Sequence, residues 1–240
     1  MSGTTPKGIR DEREAAAWVR EMFGQVAPRY DLLNHLLSAN IDKMWRARTV
    51  KRVKPVLDRK DARVLDLCCG TGDLAIALRE KAEAKVWASD FCHPMLTAAS
   101  RKTRIPLFEA DALSLPVADR SFDLITVAFG FRNLANYEAG LRELQRALRP
   151  GGTLAILEFS QPPNAAFARF YDFYSNRVLP KIGAMLSGAH EAYTYLPESV
   201  RKFPSAPGLA DLMRQADYQD VAFQRMTFGI VALHTGQRRQ

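Results

Sequence analysis

The chain has 240 residues, of which 47% are hydrophobic and 25% charged, the proportions of a globular protein with a sizeable core. No apolar run reaches the roughly 18 residues that a transmembrane helix needs, so we expect a soluble or peripheral protein. The formal net charge of +8 leaves two anionic partners to consider, nucleic acid and a membrane surface.

Residues 1–60 are predicted to form a helical cap, because Trp18, Met22 and Val26 recur at helical spacing. No apolar signal core precedes them, so we expect a cytoplasmic protein, peripheral to the inner face of the membrane. The segment 46–54 concentrates five basic residues without interleaved aromatic ones. This pattern favours transient contact with an anionic membrane surface and no nucleic acid. A solvated helix face is the alternative.

The segment 63–78 predicts a buried strand, a glycine turn and the start of a helix. An apolar strand over 63–69 ends at Gly70 and Gly72, and Asp73 opens a helix over 73–82. Glycine tolerates positive φ, so such a turn lets a ligand approach the backbone N–H groups. The segment predicts a cofactor-binding loop.

Two further strands end in carboxylates. The strand over 85–91 contains Asp90, 18 residues after Gly72, near the spacing of a ribose-binding acid. The strand over 105–110 is followed by Asp111 and Ala112, which we expect to recognise an adenine amino group. The third glycine of the dinucleotide fingerprint is absent, so the pattern suits S-adenosylmethionine better than a nicotinamide dinucleotide. The alternative is that both acids are helix caps.

The rest of the chain predicts a doubly wound, mostly parallel α/β sheet of seven strands. Helices are expected near 94–102, 135–148 and 208–216, and strands near 122–130, 152–159, 218–226 and 229–236. Turns are predicted at Pro150-Gly151-Gly152 and at Gly229. The predicted units are the cap (1–60), an α/β core (61–160), an aromatic helical insertion over the site (161–207) and a closing segment (208–240).

Four segments resemble the ubiquinone/menaquinone biosynthesis C-methyltransferase family: 30–45, 129–133, 146–160 and 193–204. The resemblance implies the class I S-adenosylmethionine-dependent methyltransferase fold. It also implies methyl transfer from S-adenosylmethionine to a ring carbon of a polyprenylated quinol, demethylmenaquinol first and a ubiquinone-pathway benzoquinol second. Three positions depart from the family pattern and put substrate preference in question: Leu33, Asp42 and Ala128.

The turn glycines and the resemblance together give the candidate cofactor-binding residues, which are Gly70, Thr71, Gly72, Asp90, Phe91, Asp111 and Ala112. The candidate substrate-binding residues are Phe129, Tyr171, Tyr193 and Tyr195. An aromatic stripe beginning at Phe167, together with Met185 and Leu186, is expected to form an apolar channel for the isoprenoid tail, with plain core as the alternative.

A methyl group on a sulfonium is already activated, so the site must align the acceptor carbon and exclude water, and we expect no metal. Arg132 is the first candidate to stabilise a developing phenolate, with Asn133 holding a water or the ring oxygen. Asp73 is expected to accept a hydrogen bond from Arg132 or to bind the cofactor's amino group. A cap with a surface ion pair is the alternative for Arg132 and Asn133.

Three other residues complete the predicted site: His190 is a candidate proton acceptor, with a surface role as its alternative, and Glu158 and Ser160 are expected to line the pocket. The cysteines have neither disulfide nor metal-ligand spacing. Two other functions stay open. They are methylation of another small molecule and a nucleoside-binding module without catalysis.

Overall fold

The computed structural model describes residues 3–4, 6–9, 11–31, 38, 40–173 and 190–240, without the side chains of 29, 170–173 and 190–194. The helices are α1 (Glu12–Val26), α2 (Ile41–Leu57), α3 (Asp73–Lys81), α4 (His93–Lys102), α5 (Tyr137–Ala147), α6 (Ala165–Phe173), α7 (His190–Lys202) and α8 (Ala206–Gln215). The strands are β1 (Arg63–Leu67), β2 (Lys85–Asp90), β3 (Leu107–Glu109), β4 (Phe122–Ala128), β5 (Leu148–Phe159), β6 (Tyr218–Met226) and β7 (Val231–Arg238). Short 3-10 turns occupy Ala27–Arg29, Phe131–Asn133 and Thr227–Gly229.

The strands form one seven-stranded sheet in the order β3-β2-β1-β4-β5-β7-β6. The pairs from β3 to β5 are parallel, and β7 runs antiparallel to both of its neighbours. The central strands β1 and β4 are buried along almost their whole length because helices cover both faces of the sheet. The predicted mostly parallel, doubly wound sheet is confirmed.

The first four predicted strands are all shorter in the structure than the sequence indicated, and left-handed residues end two of them. Strand β1 ends at Leu67 because Cys68 has a left-handed backbone, with φ of 54°. Strand β4 ends at Ala128 because Phe129 has φ of 57°. Both strands therefore turn abruptly at the same edge of the sheet.

The predicted turn before the fifth strand is wrong. Strand β5 begins at Leu148 and runs through Pro150-Gly151-Gly152, and its pairing with β4 shifts register there. Gly151 takes φ of 71°, so the turn residues form an irregularity inside the strand. The turn predicted at Gly229 is confirmed, since Thr227–Gly229 joins β6 to β7.

The N-terminal helices pack against the α/β core. The Asp11 side chain caps α1 by accepting hydrogen bonds from the N–H groups of Arg13 and Glu14. In α2, Trp45 and Leu57 belong to the buried cluster that contains Leu74 of α3. None of the described helices is both long and apolar enough to cross a bilayer. The boundaries of the four units stay a prediction.

Candidate functional site

A cavity of about 930 Å³, counting the part open to solvent, lies at the carboxyl ends of β1, β2, β3 and β4. Parallel α/β sheets bind ligands at this edge. A crevice opens there between two neighbouring strands whose following helices lie on opposite faces of the sheet. The lining includes eight predicted site residues: Gly70, Thr71, Asp73, Asp90, Phe91, Asp111, Ala112 and Phe129. Asn133 is the ninth predicted site residue in the lining.

Strained backbone shapes the cavity floor. Cys68 and Phe129 are both left-handed, a conformation that non-glycine residues seldom adopt outside functional sites. Gly130 lies so close to Cys68 that any Cβ at position 130 would collide with the Cys68 side chain. Gly72, a predicted cofactor-binding residue, does not line the cavity. It has φ of 90° and is the N-cap residue of α3. Tight turns at β1 and β4 thus bring backbone groups to the cavity.

Asp90 holds the glycine loop in place. Its Oδ2 accepts a hydrogen bond from the Gly70 N–H at 2.8 Å, and its Oδ1 accepts one from the Cys92 N–H at 2.9 Å. Burial raises the pKa of Asp90, and the backbone donors oppose that rise. Asp111 similarly accepts a hydrogen bond from the Leu113 N–H at 2.9 Å. Neither carboxyl caps a described helix, because the N-cap residue of α4 is Cys92 and α5 begins only at Tyr137, so the helix-cap alternative is wrong; both aspartates line the cavity.

Asp66 is a cavity-lining residue that the sequence analysis missed. It lies inside β1, fully buried, and Thr126 of β4 donates a hydrogen bond to its Oδ1 at 2.6 Å. Oδ2 finds no hydrogen-bond partner among the described residues. Burial raises the pKa of Asp66 from 3.8 to about 7. A polar residue within an otherwise apolar strand was the available signal.

An ionic network surrounds Asp73, and the predicted hydrogen bond from Arg132 to Asp73 is wrong. Asp73 pairs with Lys102, the last residue of α4, and with Arg46 of α2 at 3.6 Å. Lys102 also pairs with Asp31 at 2.8 Å, and the Thr71 hydroxyl donates a hydrogen bond to Asp31. The network ties the N-terminal helices to the loop that follows β1.

Arg132 lies beneath the site and not in the cavity lining. Its guanidinium is buried and pairs with Glu158 at 2.9 Å, and its backbone N–H donates to the same carboxylate at 3.2 Å. Glu158 and Ser160 are buried too, and neither lines the cavity, which corrects their predicted position. The pair joins the Glu158 carboxylate to both the backbone N–H and the guanidinium of Arg132. It therefore fixes the 3-10 turn that carries Asn133.

Asn133 is held by a chain of hydrogen bonds. The Tyr195 hydroxyl of α7 donates to Asn133 Oδ1 at 3.0 Å and lies 2.8 Å from the Thr4 hydroxyl. The Tyr195 ring packs against Trp18 of α1, with centroids 5.2 Å apart. Tyr195 does not line the cavity, which corrects its predicted place among the substrate-binding residues; it holds Asn133, which does line the cavity.

An aromatic cluster borders the cavity on the α2 side. The Phe129 ring lies 4.9 Å from Phe159 and 5.8 Å from Trp45. Ala128 lines the cavity, and Asp42 is buried and paired with Arg46. The side chains of Tyr171, Tyr193 and His190 lie outside the described residues, as do Leu33, Met185 and Leu186 in full.

The cavity fits a cationic nucleoside. Its lining holds four carboxyl groups against the single guanidinium of Arg46, which is already paired with Asp42 and Asp73. The Asp66 carboxyl, when ionised, would attract an ammonium or a sulfonium, and Phe91 and Met95 offer apolar walls to a purine. Among the described residues, no cluster of His, Cys, Asp and Glu could hold a metal ion.

Comparison with known proteins shows extensive similarity over the whole cavity-bearing chain. The model of the ubiE/COQ5 methyltransferase family matches residues 8–238. A demethylmenaquinone methyltransferase of Thermus thermophilus is 48% identical over 223 residues, covering 90% of this chain and 100% of that protein. One of Deinococcus radiodurans is 44% identical, covering 100% of both.

A ubiquinone/menaquinone biosynthesis C-methyltransferase UbiE of Dinoroseobacter shibae is 37% identical, covering 97% of this chain and 96% of that protein. Among solved structures, an S-adenosylmethionine-dependent methyltransferase of Thermotoga maritima superimposes with a TM-score of 0.66 at 19% identity, covering 91% of this chain and 99% of that one. A phosphoethanolamine N-methyltransferase of Haemonchus contortus, in complex with S-adenosylmethionine, gives 0.63 at 13%, covering 98% and 62%. The predicted class I methyltransferase fold is confirmed.

Proposed function

The chain belongs to the ubiE/COQ5 methyltransferase family, and from this membership and the carboxylate-lined cavity we propose how and on what it acts. The chain is an S-adenosylmethionine-dependent C-methyltransferase of quinone biosynthesis. We propose demethylmenaquinol as the acceptor, because relatives at 48% and 44% identity carry that name. A ubiquinone-pathway benzoquinol is the second candidate, after the relative from Dinoroseobacter shibae.

S-adenosylmethionine, when bound, supplies a methyl carbon attached to a positively charged sulfur. The loop that Asp90 holds, together with Phe91, Asp111 and Ala112, would bind the nucleoside. Asp66 and Asp73 would attract the charged methionine part, because carboxylates stabilise cations in a water-poor cavity. Binding to the cavity floor leaves the Phe129 side free for the acceptor.

Asn133 is the polar group that we place beside the acceptor ring. The methyl transfer forms a carbon–carbon bond, breaks the carbon–sulfur bond and releases a proton from the ring carbon or its hydroxyl. Asn133 can hold a quinol oxygen, and the buried Arg132–Glu158 pair keeps it in position. Phe129, Trp45 and Phe159 exclude water from the reacting atoms.

The proposal is supported above all by the position of the cavity at the carboxyl edge of the sheet in a chain of this family. The test supplies purified protein with methyl-labelled S-adenosylmethionine and, separately, demethylmenaquinol, the benzoquinol and buffer. Mass spectrometry should find the label on demethylmenaquinol. Label on the benzoquinol alone would reverse the acceptor assignment, and cofactor binding with no transfer to either quinol would favour a non-catalytic module.

A further inference from the structure

Three large apolar side chains stand well exposed among the described residues: Ile41, Met44 and Phe228, at 38%, 42% and 78%. They come from two distant parts of the chain, the start of α2 and the turn between β6 and β7. The Trp45 Nε1–H donates a hydrogen bond to the Thr227 hydroxyl at 2.8 Å, which joins the first turn of α2 to the turn that carries Phe228. We call Ile41, Met44 and Phe228 the apolar patch.

The backbone under Phe228 is strained. Thr227, Phe228 and Gly229 have φ of 50°, 56° and 91°, so three successive residues are left-handed and two of them are not glycine. For a bulky or β-branched residue this conformation is an outlier that surrounding packing must enforce. Here a Cβ on Gly229 would lie 2.6 Å from Pro163 Cδ, so the turn is tightly held. The Phe228 ring lies 5.1 Å from the Phe167 ring, centroid to centroid, and the Phe228 side chain is still 78% exposed.

Basic side chains surround the apolar patch. Arg48 follows Met44 by four residues and Lys51 by seven, so both share its face of α2, and both are exposed. Arg225 lies beside the Phe228 turn, with its Cδ 3.5 Å from the position of a Cβ on Gly229. The single acidic residue of α2, Asp42, is buried. An apolar centre with a basic rim complements an anionic lipid surface. It does not complement a second copy of a chain whose net charge is +8.

The apolar patch adjoins the aromatic cluster of the cavity. Trp45 bonds to Thr227 on one side and packs against Phe129 on the other, and Phe129 lines the cavity. We propose that the apolar patch docks on an anionic bilayer, with Phe228 inserted at the headgroup boundary. Since the proposed acceptor is a polyprenylated quinol dissolved in that bilayer, docking would bring it to the cavity; this part rests on the proposed function.

The test is co-sedimentation of the full chain with vesicles of phosphatidylcholine alone or with 30% phosphatidylglycerol. The unaltered protein should sediment with the anionic vesicles only. Phe228→Asn keeps a residue that tolerates positive φ and should lower the partition constant about tenfold, because it removes one inserted aromatic side chain. The double variant Arg48→Glu/Lys51→Glu should lower it at least about 30-fold at low salt, because two cations are lost and two anions are gained.

A matched control, Lys81→Glu/Lys85→Glu, makes the same charge change at the opposite edge of the sheet and should stay within twofold. Equal sedimentation with both vesicle types, or equal losses in control and test variants, would overturn the docking surface. So would light scattering in which Phe228→Asn converts a dimer to a monomer, because the patch would then join two copies.

Methyl transfer to a short-chain, water-soluble quinol analogue separates this proposal from the previous one. Phe228→Asn should retain turnover on the analogue within twofold while losing vesicle binding. Turnover without any vesicle binding by the unaltered protein would refute docking and leave the proposed function standing. Vesicle binding without turnover on any quinol would support docking and refute the proposed function.

Discussion

Asp66→Asn should remove a pH dependence from the stability of the free protein. Because burial raises the pKa of Asp66 from 3.8 to about 7, the folded state binds more protons than the unfolded state between those values. The free energy of unfolding therefore falls as pH rises through this window, by about 1.4 kcal/mol per unit. Over the full window, the loss approaches about 4 kcal/mol, and above pH 7 it is complete.

The assay is urea unfolding of both proteins, without cofactor, at pH 5, 6, 7 and 8. Asparagine keeps an oxygen that accepts the Thr126 hydrogen bond but does not titrate. The stability of Asp66→Asn relative to the unaltered protein should therefore improve by about 2–3 kcal/mol from pH 5 to 7 and then level off. A difference that stays constant from pH 5 to 8 would refute a raised pKa.

Thr126→Val provides a matched variant. The hydrogen bond from Thr126 lowers the pKa of Asp66, so its removal should move the window to higher pH. Valine has a similar shape to threonine, and the two strands should still pair. If the pH range over which the free energy of unfolding falls moved to lower pH, the Thr126 hydroxyl would not stabilise the ionised carboxyl.

Three further substitutions test the site. Asp90→Asn should weaken S-adenosylmethionine binding at least tenfold in calorimetry, because Asp90 orders the Gly70 loop; unchanged affinity would contradict this role. Arg132→Ala should lower the free energy of unfolding by about 3 kcal/mol and abolish most turnover while cofactor affinity persists, since Glu158 loses its ion-pair partner. Full turnover would remove Arg132 from the mechanism. Tyr195→Phe should lower kcat severalfold with little change in cofactor affinity, because it frees Asn133; weaker cofactor binding alone would contradict that assignment.

Local sequence patterns predicted the elements that line the cavity. The strand, glycine turn and helix around Gly70 depend on residues adjacent in the chain, and so do the acids that follow β2 and β3. Their common position at the cavity follows from the rule that parallel strands end at one edge. The predicted turn at Pro150 failed because a bulge in β5 absorbs those residues.

Pairings between distant residues were decided only by the tertiary structure. The sequence predicted that Asp73 and Arg132 belong to one site. In the folded chain, Asp73 forms ion pairs with Lys102 and Arg46, and Arg132 forms one with Glu158. Asp66 is a polar residue in an apolar strand of the sequence, and burial in the folded chain raises the pKa of its carboxyl to about 7. Hydrogen bonding, desolvation and charge pairing act over a few ångströms in space, whereas sequence patterns report only neighbours along the chain.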